Sequence, residues 1–127
     1  MPAYNFQKQF VDLIRAGIKH STIRRSRTRG GNPQPGKPLQ LYNGMRTSSC
    51  EKIIADPICK SVRPIVIWAE YFSRDSWKLE IILEGEKLNM ADIVDLARAD
   101  GFEHERDFCE FFSRKYGDTA NLYLIEW

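Results

Sequence analysis

The sequence contains no apolar run approaching the roughly 20 residues that a membrane-crossing helix needs, and Met1 to Lys8 lack the charged-then-apolar layout of a secretion signal. Both absences read as a soluble, cytoplasmic protein without a membrane partner. Cysteine is scarce: Cys50, Cys59 and Cys109 are odd in number, widely spaced and include no CxxC pair, and the only histidines are His20 and His104. Neither a disulfide framework nor a zinc site follows from that set, so the cysteines read as reduced packing residues and the histidines as surface residues. The motifs that mark common enzymes are missing as well, with no P-loop, GxGxxG, HExxH or GxSxG. No cofactor and no metal is expected.

Acid is nearly absent from one end of the chain. Residues 1–50 hold nine Lys or Arg against Asp12 alone, whereas residues 51–127 hold ten basic and sixteen acidic residues. One small domain folded from these halves is expected to be electrically two-faced, with a basic surface suited to phosphates. A solvated basic loop explains the same composition without any ligand.

What is present fits one domain, 1–127. The 127 residues are 43% apolar and 28% charged, enough to bury roughly two-thirds of the unfolded surface. Phe6, Phe10, Leu13 and Ile14 recur at helical spacing, predicting a helix over residues 5–16 stopped by Gly17. A short strand over 19–24 follows, turning Ile23 inward and placing Thr22 and Arg24 together on the other face. Residues 25–38 have nothing apolar to bury and many glycines and prolines, predicting a long basic loop. Strands are predicted over 38–42, ending at an Asn43-Gly44 turn, over 65–68 as a buried strand, over 77–83 as a half-buried one and over 122–127. Between the last two lie two helices. One is capped by Asn89 and stopped at Asp100-Gly101-Phe102, with Phe102 folding back on Leu96 or Ala97; the other carries the stripe Phe108, Phe111, Phe112 and Tyr116 and stops at Gly117. The order predicts an α+β fold, with the sheet curled into a small, partly open β-barrel whose last strand pairs with an early one. Side chains fill a barrel of that size, so a ligand site belongs on its rim.

The residues that carry chemistry cluster after the first helix. Lys19, Thr22 and Arg24 lie on one turn entering the sheet, where desolvation and Arg24 would lower the lysine pKa and make it a base toward the Thr22 hydroxyl. A solvated basic turn remains the competing reading. Arg25, Arg27 and Arg29 alternate and would line one face of an extended loop as a phosphate track; Arg46 beside its turn would reach a phosphate or base edge, and Tyr42 would stack on a base if exposed. Tyr71, Phe72 and Trp77 read as packing. Asp100 sits at the negative pole of a helix, where an acid is not explained by helix stability and its pKa should rise unless a cation such as Lys19 or Arg24 answers it.

The run Phe6, Phe10, Ile14, Gly17, Lys19, Thr22-Ile23-Arg24, then Gly36 before the strand at Leu39 to Tyr42, resembles the N-terminal half of the ASCH domain, the ASC-1 homology group of the PUA-like superfamily. Tyr42, Gly44-Met45-Arg46-Thr47, Cys50, Asp100-Gly101-Phe102, the Phe-rich helix and Trp127 are similar to its compact single-domain forms in phages and bacteria. The resemblance implies a small PUA-like β-barrel with flanking helices and a cleft facing RNA or a nucleoside. It also implies, as an alternative, amide hydrolysis of N4-acetylcytidine by a lysine, a threonine and a glutamate, or RNA cleavage. Lys19 and Thr22 match the first two positions. No glutamate falls on the third; Asp100 is the nearest acid and Glu86 a second candidate. Lys19 would then deprotonate Thr22 or a water, the oxygen would attack the acetyl carbonyl, and Asp100 would protonate the departing amine. A different class of function, a phage accessory protein gripping an acidic partner through its basic loop, accounts for the same charge pattern.

Overall fold

The computed structural model describes residues 2–28 and 30–127, among which three helices and eight strands make an α+β fold. Strands β1 (Ala3–Asn5), β3 (Gln40–Asn43) and β4 (Glu51–Lys52) form one sheet, in the order β1-β3-β4. Strands β2 (Ser21–Arg24), β5 (Ser61–Ser73), β6 (Ser76–Leu83), β7 (Glu86–Lys87) and β8 (Thr119–Glu126) form the other, in the order β2-β8-β5-β6-β7. The last strand does pair with an early one, Ile23 opposite Leu124. The barrel does not close: β2 and β7 end their sheet unpaired to each other, and β3 instead takes β1 as a parallel partner. The described residues of the 25–37 segment contribute no strand that would carry β2 across to β3, as their lack of apolar side chains dictates.

Helix α1 (Lys8–Arg15) starts later than its periodicity predicts, because Ala3–Asn5 is taken by β1 and Phe6 N–H bonds Tyr42 O at 2.8 Å. Its buried stripe is Phe10, Val11 and Ile14. Helix α2 (Met90–Ala99) is capped as expected, Asn89 Oδ1 accepting from Asp92 N–H at 2.9 Å. Helix α3 (Glu105–Tyr116) lies against β5 and β6. Phe108, Phe112 and Cys109 are buried beneath it, and Phe102, Phe108, Phe111 and Phe112 form an edge-to-face and tilted aromatic cluster with centroids 4.4–5.6 Å apart. Such contacts add to area burial.

Strand β5 is longer and more one-sided than a buried 65–68 segment. Ile65, Ile67 and Ala69 face the core, whereas Trp68 turns outward, its Nε1–H donating to Glu70 Oε1 at 3.1 Å. Phe72, read as packing, is 73% exposed, because it stands near the β5–β6 turn on the strand face opposite the core; Tyr71 and Trp77 do pack on the core. Cys50 is likewise exposed, while Cys59 and Cys109 are buried. Burial pushes the Cys109 thiol up to about 11. A thiol-reactive chromophore is therefore expected to titrate one cysteine per native chain and three after denaturation, and rapid native labelling of two or more would contradict this burial.

Gly101 supplies a second check. Its φ is +101°, and a Cβ there would come within 2.9 Å of the Phe10 ring. Gly101→Ala is expected to cost about 2–4 kcal/mol, from left-handed strain plus overpacking, read as a lower urea midpoint.

Candidate functional site

Two helix ends build the site. At the end of α1, Gly17 N–H bonds Ile14 O (3.1 Å) and Ile18 N–H bonds Leu13 O (2.9 Å), with Gly17 at φ +75°. At the end of α2, Gly101 N–H bonds Arg98 O (3.0 Å) and Phe102 N–H bonds Ala97 O (2.9 Å). Both are Schellman closures, each requiring a residue that accepts a positive φ. The first delivers Lys19 to the start of β2. The second makes Asp100 the C-cap of α2.

The two residues meet inside the protein. Lys19 Nζ donates to Asp100 Oδ1 at 2.8 Å and to the Asp100 carbonyl at 2.6 Å, with side-chain exposures of 3% and 5%. The ammonium thus satisfies an orphan carbonyl at the negative end of α2 while neutralising the carboxylate beside it. Its nitrogen also lies 4.9 Å from the Phe10 ring centroid and 5.8 Å from that of Phe6. Burial pushes Lys19 below the ordinary lysine value, with Arg24 adding to the fall and Asp100 opposing it. Burial likewise pushes Asp100 above the ordinary aspartate value, against the pull of Lys19, Arg24 and Lys115. Burial works against the charge on both members while their pairing works for it, so a ligand that parts the pair would leave a lysine that gives up its proton more readily than an exposed one.

Thr22 is buried on β2. Its Oγ1 accepts from Arg24 Nε at 3.0 Å, so the two side chains share a face. Arg24 Nη2 donates to Asn5 O at 2.7 Å, and the guanidinium lies over Phe6 (4.9 Å) and Tyr4 (5.3 Å). A hydroxyl that accepts from a guanidinium keeps its own hydrogen for a ligand acceptor, and any negative charge on its oxygen is stabilised. Lys19, Thr22, Arg24 and Asp100 all line one inner pocket of about 40 Å³, together with Asn5, Phe111 and Lys115. In the resting arrangement the lysine is bonded to Asp100 and the threonine to Arg24.

An outer cleft of about 680 Å³ adjoins this pocket, lined by Tyr4, Asn5, Arg24, Arg27, Met45 and Arg46 among others. Asn5 and Arg24 line both spaces. No acidic side chain is found among the described residues lining the cleft. Arg27 Nη2 donates to Ala3 O, and its guanidinium stacks 4.6 Å from the Tyr4 ring.

The remaining expected residues scatter. Arg25 does not share a face with Arg27: it lies over Tyr116 at 5.1 Å and borders a separate hollow with Val62 and Tyr123. The loop turns instead of running extended, because Asn32 bonds Arg27 through both N–H (2.8 Å) and carbonyl (3.3 Å). Arg29 lies outside the described residues. Tyr42 is half-buried with Lys52 Nζ 5.7 Å from its ring, and it lines neither space. Glu86 sits on β7, at the sheet edge opposite β2, far from Lys19 in the strand order. His20 is exposed, and His104 accepts from Arg106 N–H as the cap of α3.

Sequence reasoning missed Asn5, Tyr4 and Lys115. The first two enter through β1, whose three residues carry no periodicity. Lys115 had a signal, four residues after Phe111 on the same helical stripe; burial and Arg24 depress its pKa. Among the described residues no helix is long and apolar enough to cross a membrane, and no three His, Cys, Asp or Glu side chains gather as a metal site. Comparison with protein-family models, curated proteins and solved structures yields no match, so the site's own geometry carries the functional argument.

Proposed function

We propose that the protein binds RNA or a modified nucleoside at the outer cleft, as the resemblance to ASCH and PUA-like domains implies, and that a small exocyclic group enters the inner pocket. The observation that carries this reading is the shared wall: Asn5 and Arg24 face both a cleft of ligand size and the polar pocket of Lys19, Thr22 and Asp100. The cleft offers guanidiniums without acids, the charge a polyanion requires. The inner pocket has room for only a few heavy atoms, so it reads the edge of a base. Thr22 O–H and Lys19 N–H are the groups that would read it.

The test is a titration of single-stranded RNA at several salt concentrations. If Arg24, Arg27 and Arg46 each neutralise one phosphate, affinity falls by about 2 log units per tenfold rise in salt. A flat salt response overturns the reading.

The second reading is an amidohydrolase acting on N4-acetylcytidine-like nucleosides. It is favoured by one specific observation, the gathering of Lys19, Thr22 and Asp100 in a single buried pocket with the lysine biased toward its neutral form. In this reading Lys19 releases Asp100 to take a proton from Thr22 or from water. The oxygen adds to the acyl carbonyl, and the C–N bond breaks as the proton taken up by Lys19 passes through Asp100 to the departing amine; on the threonine route a water then hydrolyses the Thr22 ester, which releases the acid and restores the hydroxyl. Arg24 stabilises the charge on Thr22 Oγ1.

A further inference from the structure

Resting on that reading, we propose that the outer cleft is a phosphate clamp formed by Arg27 and Arg46, so that a nucleotide or an RNA strand is bound in preference to a free nucleoside. The argument starts from what the cleft lacks. A base site offers an aromatic face, yet among the described residues the one aromatic ring lining this cleft, Tyr4, is only 4% exposed and already carries the guanidiniums of Arg24 and Arg27. Tyr4 therefore supports cations; it is no stacking platform.

The Arg27 guanidinium and the Arg46 backbone are held in advance. Arg27 spends one N–H on Ala3 O and stacks its face on Tyr4, which leaves other donors of its five to a ligand in a fixed orientation. Arg46 occupies a left-handed position, φ 66°, uncommon for a residue with a side chain. Its turn is pinned on either side, Met45 N–H bonding Asn5 Oδ1 at 3.0 Å and Thr47 N–H bonding Gly44 O at 3.2 Å. Backbone held in a sparsely populated region beside a cleft is a mark of functional positioning. The bidentate geometry of two guanidiniums suits the oxygens of a phosphate ester. Since Asn5 and Arg24 separate this cleft from the inner pocket, a ribose spans the wall, with its phosphate outside and its base edge inside.

The experiment is calorimetric titration of the full chain at low salt with the four ribonucleosides, their 5′-monophosphates and dinucleoside monophosphates lacking a terminal phosphate. A phosphate-bearing ligand is expected to bind at least tenfold tighter than its nucleoside. Arg27→Ala and Arg46→Asn should each erase that difference, bringing nucleotide affinity down to that of the nucleoside on the same variant. Arg46→Asn is the safer variant for folding, because asparagine tolerates the left-handed backbone. Preference for the dinucleoside or for the 5′-monophosphate supports the clamp alike and separates a strand phosphate from a terminal one. Equal binding of nucleoside and nucleotide, a phosphate preference that survives both substitutions, or RNA binding without binding of any small phosphate ester overturns the clamp and leaves the RNA reading standing. Absence of binding by all of these and by RNA removes both.

Discussion

Asp100→Ala is expected to lower the stability of the protein by about 3–5 kcal/mol, because it strands a buried ammonium without a counter-ion. Lys19 and Asp100 are 3% and 5% exposed in their side chains, so neither solvent nor salt substitutes for the missing partner. The sign of the pH dependence follows. Without the carboxylate, the native pKa of Lys19 falls further below its unfolded value of 10.5, and the penalty is full below the native value, where both states carry the proton. As pH rises through the window between the native value and 10.5, the unfolded state loses its excess protons and the variant recovers stability relative to the parent. Replacing both residues with apolar ones, Lys19→Met with Asp100→Leu, is expected to restore most of the loss, since removing a whole buried pair is far cheaper than breaking it. Urea midpoints at neutral and alkaline pH compare both variants with the parent. A single variant as stable as the parent at neutral pH would show that the pair is not buried as described.

The second large effect concerns chemistry. On the amidohydrolase reading, Lys19→Met is expected to reduce turnover of N4-acetylcytidine by about 10²–10⁴-fold, the range for losing a positioned base. Loss of the acetyl group is followed by chromatography, and Thr22→Val separates the nucleophile from the base. If Thr22 attacks, Thr22→Val abolishes turnover; if water attacks, it retains part of it while Lys19→Met does not. No turnover by the parent protein retires this reading for that substrate, and RNA binding stands or falls by its own titration.

The local parts of the site were legible in the sequence because their causes are local. Gly17 and Gly101 end their helices through bonds that span no more than five residues, so a glycine placed after an amphipathic stretch was enough to find them. Thr22 and Arg24 share a strand face by the alternation of side chains alone. The depression of the Lys19 pKa was anticipated from its corner position, and burial is indeed its main cause. The expected arginine track failed for a reason the sequence shows only in hindsight: Asn32 bonds the Arg27 backbone and turns the loop, which sends Arg25 to Tyr116.

Chain order by itself determined the α+β class, the helix stops, the inward face of β2 and the concentration of cations near the amino terminus, since each depends on a few neighbouring residues and their periodicity. Tertiary structure decided what no local rule reaches. It set Asp100 against Lys19 across 81 residues, and it recruited Lys115. It placed Asn5 and Tyr4 in the site through a three-residue strand that exists only because β3 pairs with it, and it divided the strands between two sheets where one curled, partly open barrel was expected. Those outcomes rest on long-range pairing, whose loop-closure cost is met only when the whole core assembles.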